Sequence, residues 1–166
     1  LWVREGRRPT PEDLGVTLTP RLEADSGVFV TLKKGGRLRG CIGNIPPTRP
    51  LFQAVLDNAV NAAVHDRRFP PVTAGELDAI EVEVSVLTPP VPVAGPWDVI
   101  LGRHGVWIEK GGRSAVFLPQ VAPEQGWTLP ETLGHLSRKA GLPEDAWTGG
   151  MAFRVMEAVV FGEGHD

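Results

Sequence analysis

Lys34-Gly35-Gly36-Arg37 recurs as Lys110-Gly111-Gly112-Arg113, and Gly27-Val28-Phe29-Val30 recurs as Gly105-Val106-Trp107-Ile108, at offsets of 76 and 78 residues. In a chain of 166 residues such a period asks for a fold written twice. In each copy a run of β-branched and aromatic residues enters a Gly-Gly pair and leaves into a second apolar run, Leu38 to Ile45 and Ala115 to Val121. Each reads as a β-hairpin, because a two-residue turn between twisted strands needs the positive φ that glycine adopts without strain.

The segments after the two hairpins carry the repetition beyond a shared turn. Pro50 to His65 bears Leu51, Ala54, Val55, Ala59, Ala62 and Ala63 at helical spacing, and Leu129 to Ala140 bears Leu129, Leu133, Leu136 and Ala140. Thr128 and Glu131 form a capping box that opens the second helix, and Gly141 with Pro143 closes it. Thr73 and Glu76 form another, opening a short turn. A strand then ends each unit: Ile80 to Leu87 alternates Ile and Val with Glu81, Glu83 and Ser85, and Phe153 to Phe161 alternates less cleanly. Hairpin, helix and strand, twice, predict a duplicated α+β domain with a largely antiparallel sheet and helices on one face. The halves span about 27–88 and 97–162, joined through Thr88 to Pro96, which holds Pro89, Pro90, Pro92 and Pro96.

Composition removes several classes of function. Cys41 is the only cysteine, so no disulfide framework exists. The four histidines show no metal-ligand spacing, and no metal site or bound cofactor is expected. With a net charge of −3 and no basic stripe, a nucleic-acid backbone is a poor main partner, although Lys33, Lys34, Arg37, Arg39, Arg67 and Arg68 form a local basic set. No apolar run approaches the length of a membrane span, and no signal-peptide pattern opens the sequence. A single unpaired thiol fits a reducing cytoplasm. Because the sequence opens on Leu1 rather than Met, a preceding segment is expected.

Chemistry concentrates around Cys41. Strand alternation puts Arg37, Arg39 and Cys41 on one face, where a guanidinium would lower the pKa of a nucleophilic thiol. Gly40 and Gly43 allow close approach to the backbone. Glu83 and Ser85 share a strand face as general base or polar clamp, or else as a solvated outer face. His65 could move a proton and Arg67 could clamp an anion, or both could simply favour the negative end of the preceding helix. Among the other histidines, His104 sits in a turn, His135 in the second helix and His165 in the tail. At the 76-residue offset Cys41 corresponds to Phe117 and Arg39 to Ala115, which confines polar chemistry to the first half.

Six segments together resemble the AMMECR domain family, named after the Alport syndrome, midface hypoplasia and elliptocytosis chromosomal region. They are Gly27–Leu32, Leu38-Arg39-Gly40-Cys41-Ile42-Gly43, Asp66–Pro71, Glu81–Leu87, Leu118–Ala122 and Lys139–Leu142. The resemblance covers nearly the whole chain, and the Leu-Arg-Gly-Cys-Ile-Gly hexapeptide is its most diagnostic part. It implies two related β/α lobes around a barrel-like sheet. It also implies a polar cleft at the hexapeptide, carried here by Arg39, Gly40, Cys41 and Gly43, with Asn44 at its end. Prokaryotic relatives are similar to the first component of a system containing a Memo-type protein and a radical S-adenosylmethionine protein. No iron–sulfur cysteine set exists in this chain, so radical chemistry would belong to such a partner.

The leading expectation is therefore a binding module or subunit of a multi-protein enzyme system, with a partner protein or a small anionic ligand at the hexapeptide. The alternatives are a free-standing enzyme that uses Cys41, with Arg39, Glu83 and His65 as its helpers, and a nucleic-acid-binding protein.

Overall fold

The computed structural model describes residues 1–163, so His165 lies outside the described residues. The chain forms two compact units, Leu1–Pro89 joined by the strand from Val159 onward, and Pro90–Ala158.

The first unit holds short helices α1 (Trp2–Glu5) and α2 (Pro20–Glu23), the hairpin β1 (Gly27–Lys34) and β2 (Arg37–Asn44), helix α3 (Leu51–Val64) and strand β3 (Ile80–Leu87). The second holds β4 (Val91–Val93), the hairpin β5 (Gly105–Lys110) and β6 (Arg113–Phe117), helices α4 (Val121–Gln125) and α5 (Leu129–Lys139), and β7 (Ala152–Met156). The last strand, β8 (Ala158–Gly162), pairs with β3.

Both Gly-Gly turns form as the sequence predicts. Lys34 pairs with Arg37 and Lys110 with Arg113 across two-residue loops. Gly35 and Gly36 have φ of 58° and 73°, and Gly111 and Gly112 have 57° and 75°, so both loop positions lie in the left-handed region. The arms differ in length: β1 has 8 residues and β5 has 6, which accounts for the two offsets of 76 and 78.

The strands run β2-β1-β3-β8 in one sheet and β4-β7-β5-β6 in the other, so hairpin and closing strand repeat their order in both units. Neither sheet closes into a barrel, which corrects the barrel-like expectation. Each sheet keeps two edges, and each buries one face under its own helix. Val28, Val30 and Leu32 of β1 pack with Leu51, Ala54 and Ala62 of α3, and Val106 and Ile108 of β5 pack with Leu133 and Leu136 of α5. Instead of one closing strand over Phe153 to Phe161, the chain breaks at Glu157 into β7 and β8, which belong to different sheets.

Small residues let α3 press close to its sheet. A Cβ on Gly40 would lie 2.1 Å from the Ala62 carbonyl oxygen, a wall of backbone that cannot move aside. The α5 capping box forms as expected: the Glu131 N–H donates to Thr128 Oγ1 at 3.4 Å, and the Thr128 N–H donates to the Glu131 carboxylate at 2.8 Å. No helix among the described residues is long and apolar enough to cross a membrane.

Candidate functional site

Three strands set the site out in rows. The register aligns Cys41 of β2 with Thr31 of β1 and Glu83 of β3, with Gly43, Phe29 and Ser85 as the row on one side and Leu38, Lys33 and Glu81 on the other. All these positions share the face opposite α3, by the period-two alternation of strands.

A bulge in β2 changes which side chains accompany the thiol. Leu32 pairs with Gly40 and Lys33 with Leu38, leaving Arg39 as an extra residue opposite no partner. The insertion corrects the expectation that Arg37, Arg39 and Cys41 alternate onto one face. The Arg39 guanidinium is instead bound to Glu76 through Nε at 3.2 Å and Nη2 at 3.1 Å, and it donates to the carbonyl of Pro70 at 2.8 Å and that of Pro71 at 3.4 Å. Its side chain is 12% exposed. Glu76 also accepts from Lys34 at 3.0 Å and from the Thr73 N–H at 3.0 Å, and these donors, Arg39 first, hold its carboxyl far below the usual range. Arg39 thus fastens the 70–76 loop to the hairpin.

The bulge also shifts the comparison between halves. Counting pairs from the turns, Cys41 corresponds to Val116 rather than Phe117, Gly40 to Ala115, and Arg39 to nothing. The row Cys41, Thr31, Glu83 has the counterpart Val116, Trp107, Arg154.

Cys41 lies on an edge strand, and its backbone is sealed from outside the sheet. Its N–H donates to Asp66 Oδ2 at 3.0 Å, and its carbonyl accepts from Arg68 Nη2 at 3.3 Å. Arg68 is in turn held by Asp66, through Nη2 to Oδ2 at 2.7 Å and Nε to Oδ1 at 3.0 Å. Asp66 is buried, and Arg68 above all keeps its carboxyl well below the usual carboxylate range, against the opposing effect of burial. Together the two side chains occupy the edge where another strand would dock. Their Oδ2 and Nη2 atoms stand in for a neighbouring strand's carbonyl and N–H.

The half-buried thiol lies 3.2 Å from Thr31 Oγ1, itself buried. Glu83 is paired with Lys33 at 3.1 Å and is 15% exposed. Ser85 is fully buried, and its hydroxyl has no hydrogen-bond partner among the described residues. The Glu83–Ser85 part of this face is therefore not a solvated outer surface.

The remaining sequence candidates have different surroundings. Asn44 ties chain segments together, accepting from Asn58 at 2.8 Å and donating to Pro46 O at 3.0 Å. A Cβ on Gly43 would meet the Phe29 ring at 2.4 Å, so this glycine makes room for an aromatic neighbour. His65 is exposed just beyond α3, and Arg67 is exposed beside it. Neither side chain makes a hydrogen bond that would bring it to the thiol.

Sequence reasoning missed Asp66, Arg68, Thr31 and Glu76 as the groups that organise the site. Asp66 and Arg68 stand in one of the six family segments, but an acid two residues before an arginine gives no sign that both reach a strand 25 residues away. Among the described residues no group of three His, Cys, Asp or Glu comes together as a metal site.

Comparison with known proteins supplies the family. The AMMECR1 family model matches residues 3–161. A protein of Methanosarcina acetivorans is 44% identical over 163 residues, covering 95% of this chain and 82% of the relative. A protein of Methanothermobacter thermautotrophicus is 48% identical over 143 residues, covering 82% of this chain and 72% of that protein. The crystal structure of the uncharacterized protein PH0010 from Pyrococcus horikoshii aligns with a TM-score of 0.91 and 39% identity, over 99% of this chain and 85% of that one. With the hexapeptide on β2 and its partner motif sealing that strand's edge, the chain belongs to the AMMECR1 family.

Proposed function

We propose that this chain is a binding module, acting as a subunit of a multi-protein enzyme system, and that its recognition surface is the polar strip around the Leu38–Gly43 hexapeptide. One observation carries the reading: the charged groups nearest Cys41 are already committed to one another. Arg39 is bound to Glu76, Arg68 to Asp66 and Lys33 to Glu83, and the thiol's hydrogen-bond partner is a threonine hydroxyl rather than a base. A nucleophilic cysteine needs an adjacent base or an uncompensated cation. Prepaired charges make instead a stiff, preorganised surface, which lowers the entropic cost of binding.

The partners that fit are a Memo-type protein and a radical S-adenosylmethionine protein, with any radical step residing in the latter. Exposed Arg67 offers the strip a cation for a small anionic ligand. The two halves are read as products of a duplication in which the second replaced the polar row by Val116, Trp107 and Arg154. A cytoplasmic setting would keep Cys41 reduced.

Purified partner proteins, captured on immobilised wild-type, Cys41→Ala and Arg39→Ala chains, test the reading. Binding that survives Cys41→Ala and weakens in Arg39→Ala, where the 70–76 loop comes loose, is the expected result. Loss of binding in Cys41→Ala with Arg39→Ala unaffected overturns it.

A cysteine-dependent enzyme is the second reading, favoured by the alignment of Glu83 with Cys41 across β1. It requires native Cys41 to alkylate faster than the same thiol in the denatured chain. Nucleic-acid binding is disfavoured, since Lys33, Lys34, Arg39 and Arg68 of the basic set are each ion-paired.

A further inference from the structure

Each sheet has two edge strands, β2 and β8 in the first and β4 and β6 in the second. An exposed edge is a row of backbone N–H and C=O groups without partners, and folded chains blunt it with a charge, a proline or a covering side chain. Three of the four edges carry such a device. Asp66 and Arg68 seal β2 at Cys41, Pro92 sits at the centre of β4, and Lys139 Nζ donates to the Val116 carbonyl of β6 at 2.8 Å.

β8 is the exception. Its residues, Ala158-Val159-Val160-Phe161-Gly162, include no charge and no proline. Val159, Val160 and Phe161 stand 49%, 42% and 57% exposed, and among the described residues no side chain hydrogen-bonds to the backbone of the strand. Just past it, the Glu163 N–H points inward to the Val82 carbonyl of β3 at 3.1 Å. Alternation along a strand then turns the backbone groups of Val159 and Phe161 toward β3 and leaves those of Ala158, Val160 and Gly162 facing out. A row of this kind is matched group for group by another extended strand.

The geometry points to a second copy of this chain as the owner of that strand, with β8 against β8 in antiparallel, joining two four-stranded sheets into one of eight strands. The strand's own sequence favours self-pairing. A two-fold axis at Val160 sets Val160 against its own copy, Val159 against Phe161 and Ala158 against Gly162, so that large apolar side chains meet large ones and small meet small. The acids flanking the strand are already engaged in this register: the Glu163 carboxylate accepts the Val82 N–H at 3.1 Å, and Glu157 is paired with Arg103. β2 stays at the far edge of each first-unit sheet, so the hexapeptide surface is left open and the two proposals stand or fall separately.

Sedimentation equilibrium of the full chain from micromolar to millimolar concentration tests it, because association of folded copies follows mass action. A reversible rise to twice the monomer mass is expected. In the dimer the Val160 and Gly162 amides should exchange as slowly as those of Val159 and Phe161, and on dilution only the first two should quicken. Val160→Lys sets like charges against each other on the axis, and Val160→Pro removes an outward N–H, which an edge strand tolerates. Both should stay monomeric while melting as the dilute wild type does, and either suffices should the other fail to fold. Val91→Lys, on β4, should dimerise as the wild type does. A wild type that stays monomeric at millimolar concentration overturns the proposal. So does a dimer that both Val160 variants keep or that Val91→Lys also loses. Protection of the Val160 amide only when a Memo-type or radical S-adenosylmethionine protein is added would give the edge to a foreign strand and overturn the second copy.

Discussion

Asp66 Oδ2 accepts the backbone N–H of Cys41 at 3.0 Å, while Arg68, held by the same carboxylate, covers the Cys41 carbonyl. The edge of β2 is thereby finished by two side chains from the loop after α3. Exposed strand edges invite pairing with other chains, and here the backbone polar groups at the hexapeptide cysteine have partners before any such strand arrives.

Asp66→Asn should show this contact as a pH-dependent stability. A carboxyl whose pKa is depressed on folding contributes above its unfolded value, near 4, and loses that contribution as pH falls through the folded one. At pH 7 the substitution should cost about 2 kcal/mol, and the variant should lose less than the wild type between pH 7 and pH 3. Urea unfolding at the two values measures both. Parallel losses in the two proteins would detach Asp66 from the acid limb.

Gly40→Ala should be severe. The added methyl meets the Ala62 carbonyl at 2.1 Å, and forcing α3 off the sheet should cost about 3 kcal/mol, the upper range for overpacking. Gly75→Ala is the control: a Cβ there meets nothing within 4 Å, so its melting temperature should stay within about 2 °C of wild type. Equal melting temperatures for the two variants would mean that α3 can shift.

Much of the fold was legible because it was written in short-range signals. Two glycines at each turn, alternation over Ile80–Leu87 and a Thr-x-x-Glu cap each act within a few residues, and the structure carries all of them. The candidate site was less legible, because its arrangement depends on one inserted residue. Alternation counted through Leu38 to Ile42 assigns Arg39 to the face of Cys41; only the pairing of Leu32 with Gly40 reveals that Arg39 is extra. Nothing within β2 signals the bulge, since it arises from register with β1. Likewise Asp66 and Glu76 gain their roles from partners 25 and 37 residues away. The short helices α1 and α2 left no periodic signal, being four residues each.

Ser85→Ala should be neutral or stabilising by up to about 1 kcal/mol, since a fully buried hydroxyl with no hydrogen-bond partner among the described residues gains nothing in return for its lost hydration. Chemical denaturation measures it. A destabilisation above about 1 kcal/mol would show that a bound molecule satisfies the hydroxyl in solution.

Arg39→Lys preserves charge but gives up the paired contacts to Glu76 and the donations to Pro70 and Pro71. A lysine ammonium cannot reproduce this fork. The melting temperature should fall by roughly 4 °C, and amide exchange should quicken in the 70–76 loop ahead of the β1–β2 hairpin. Uniform acceleration throughout the first unit would instead make Arg39 part of the general core.

The return of β8 to the first sheet has a consequence for how the molecule is made. β4 comes after β3 in the chain but belongs to the second sheet, while β8 comes after β7 and returns to β3, where the Glu163 N–H reaches the Val82 carbonyl at 3.1 Å. A chain emerging from the ribosome therefore exposes the open flank of β3 until β8 has emerged. The second unit, Pro90–Ala158, carries all four strands of its own sheet, whereas the first waits for β8, and truncation at the Pro89–Pro90 boundary should yield a first half with a raw, association-prone edge rather than a miniature of the whole.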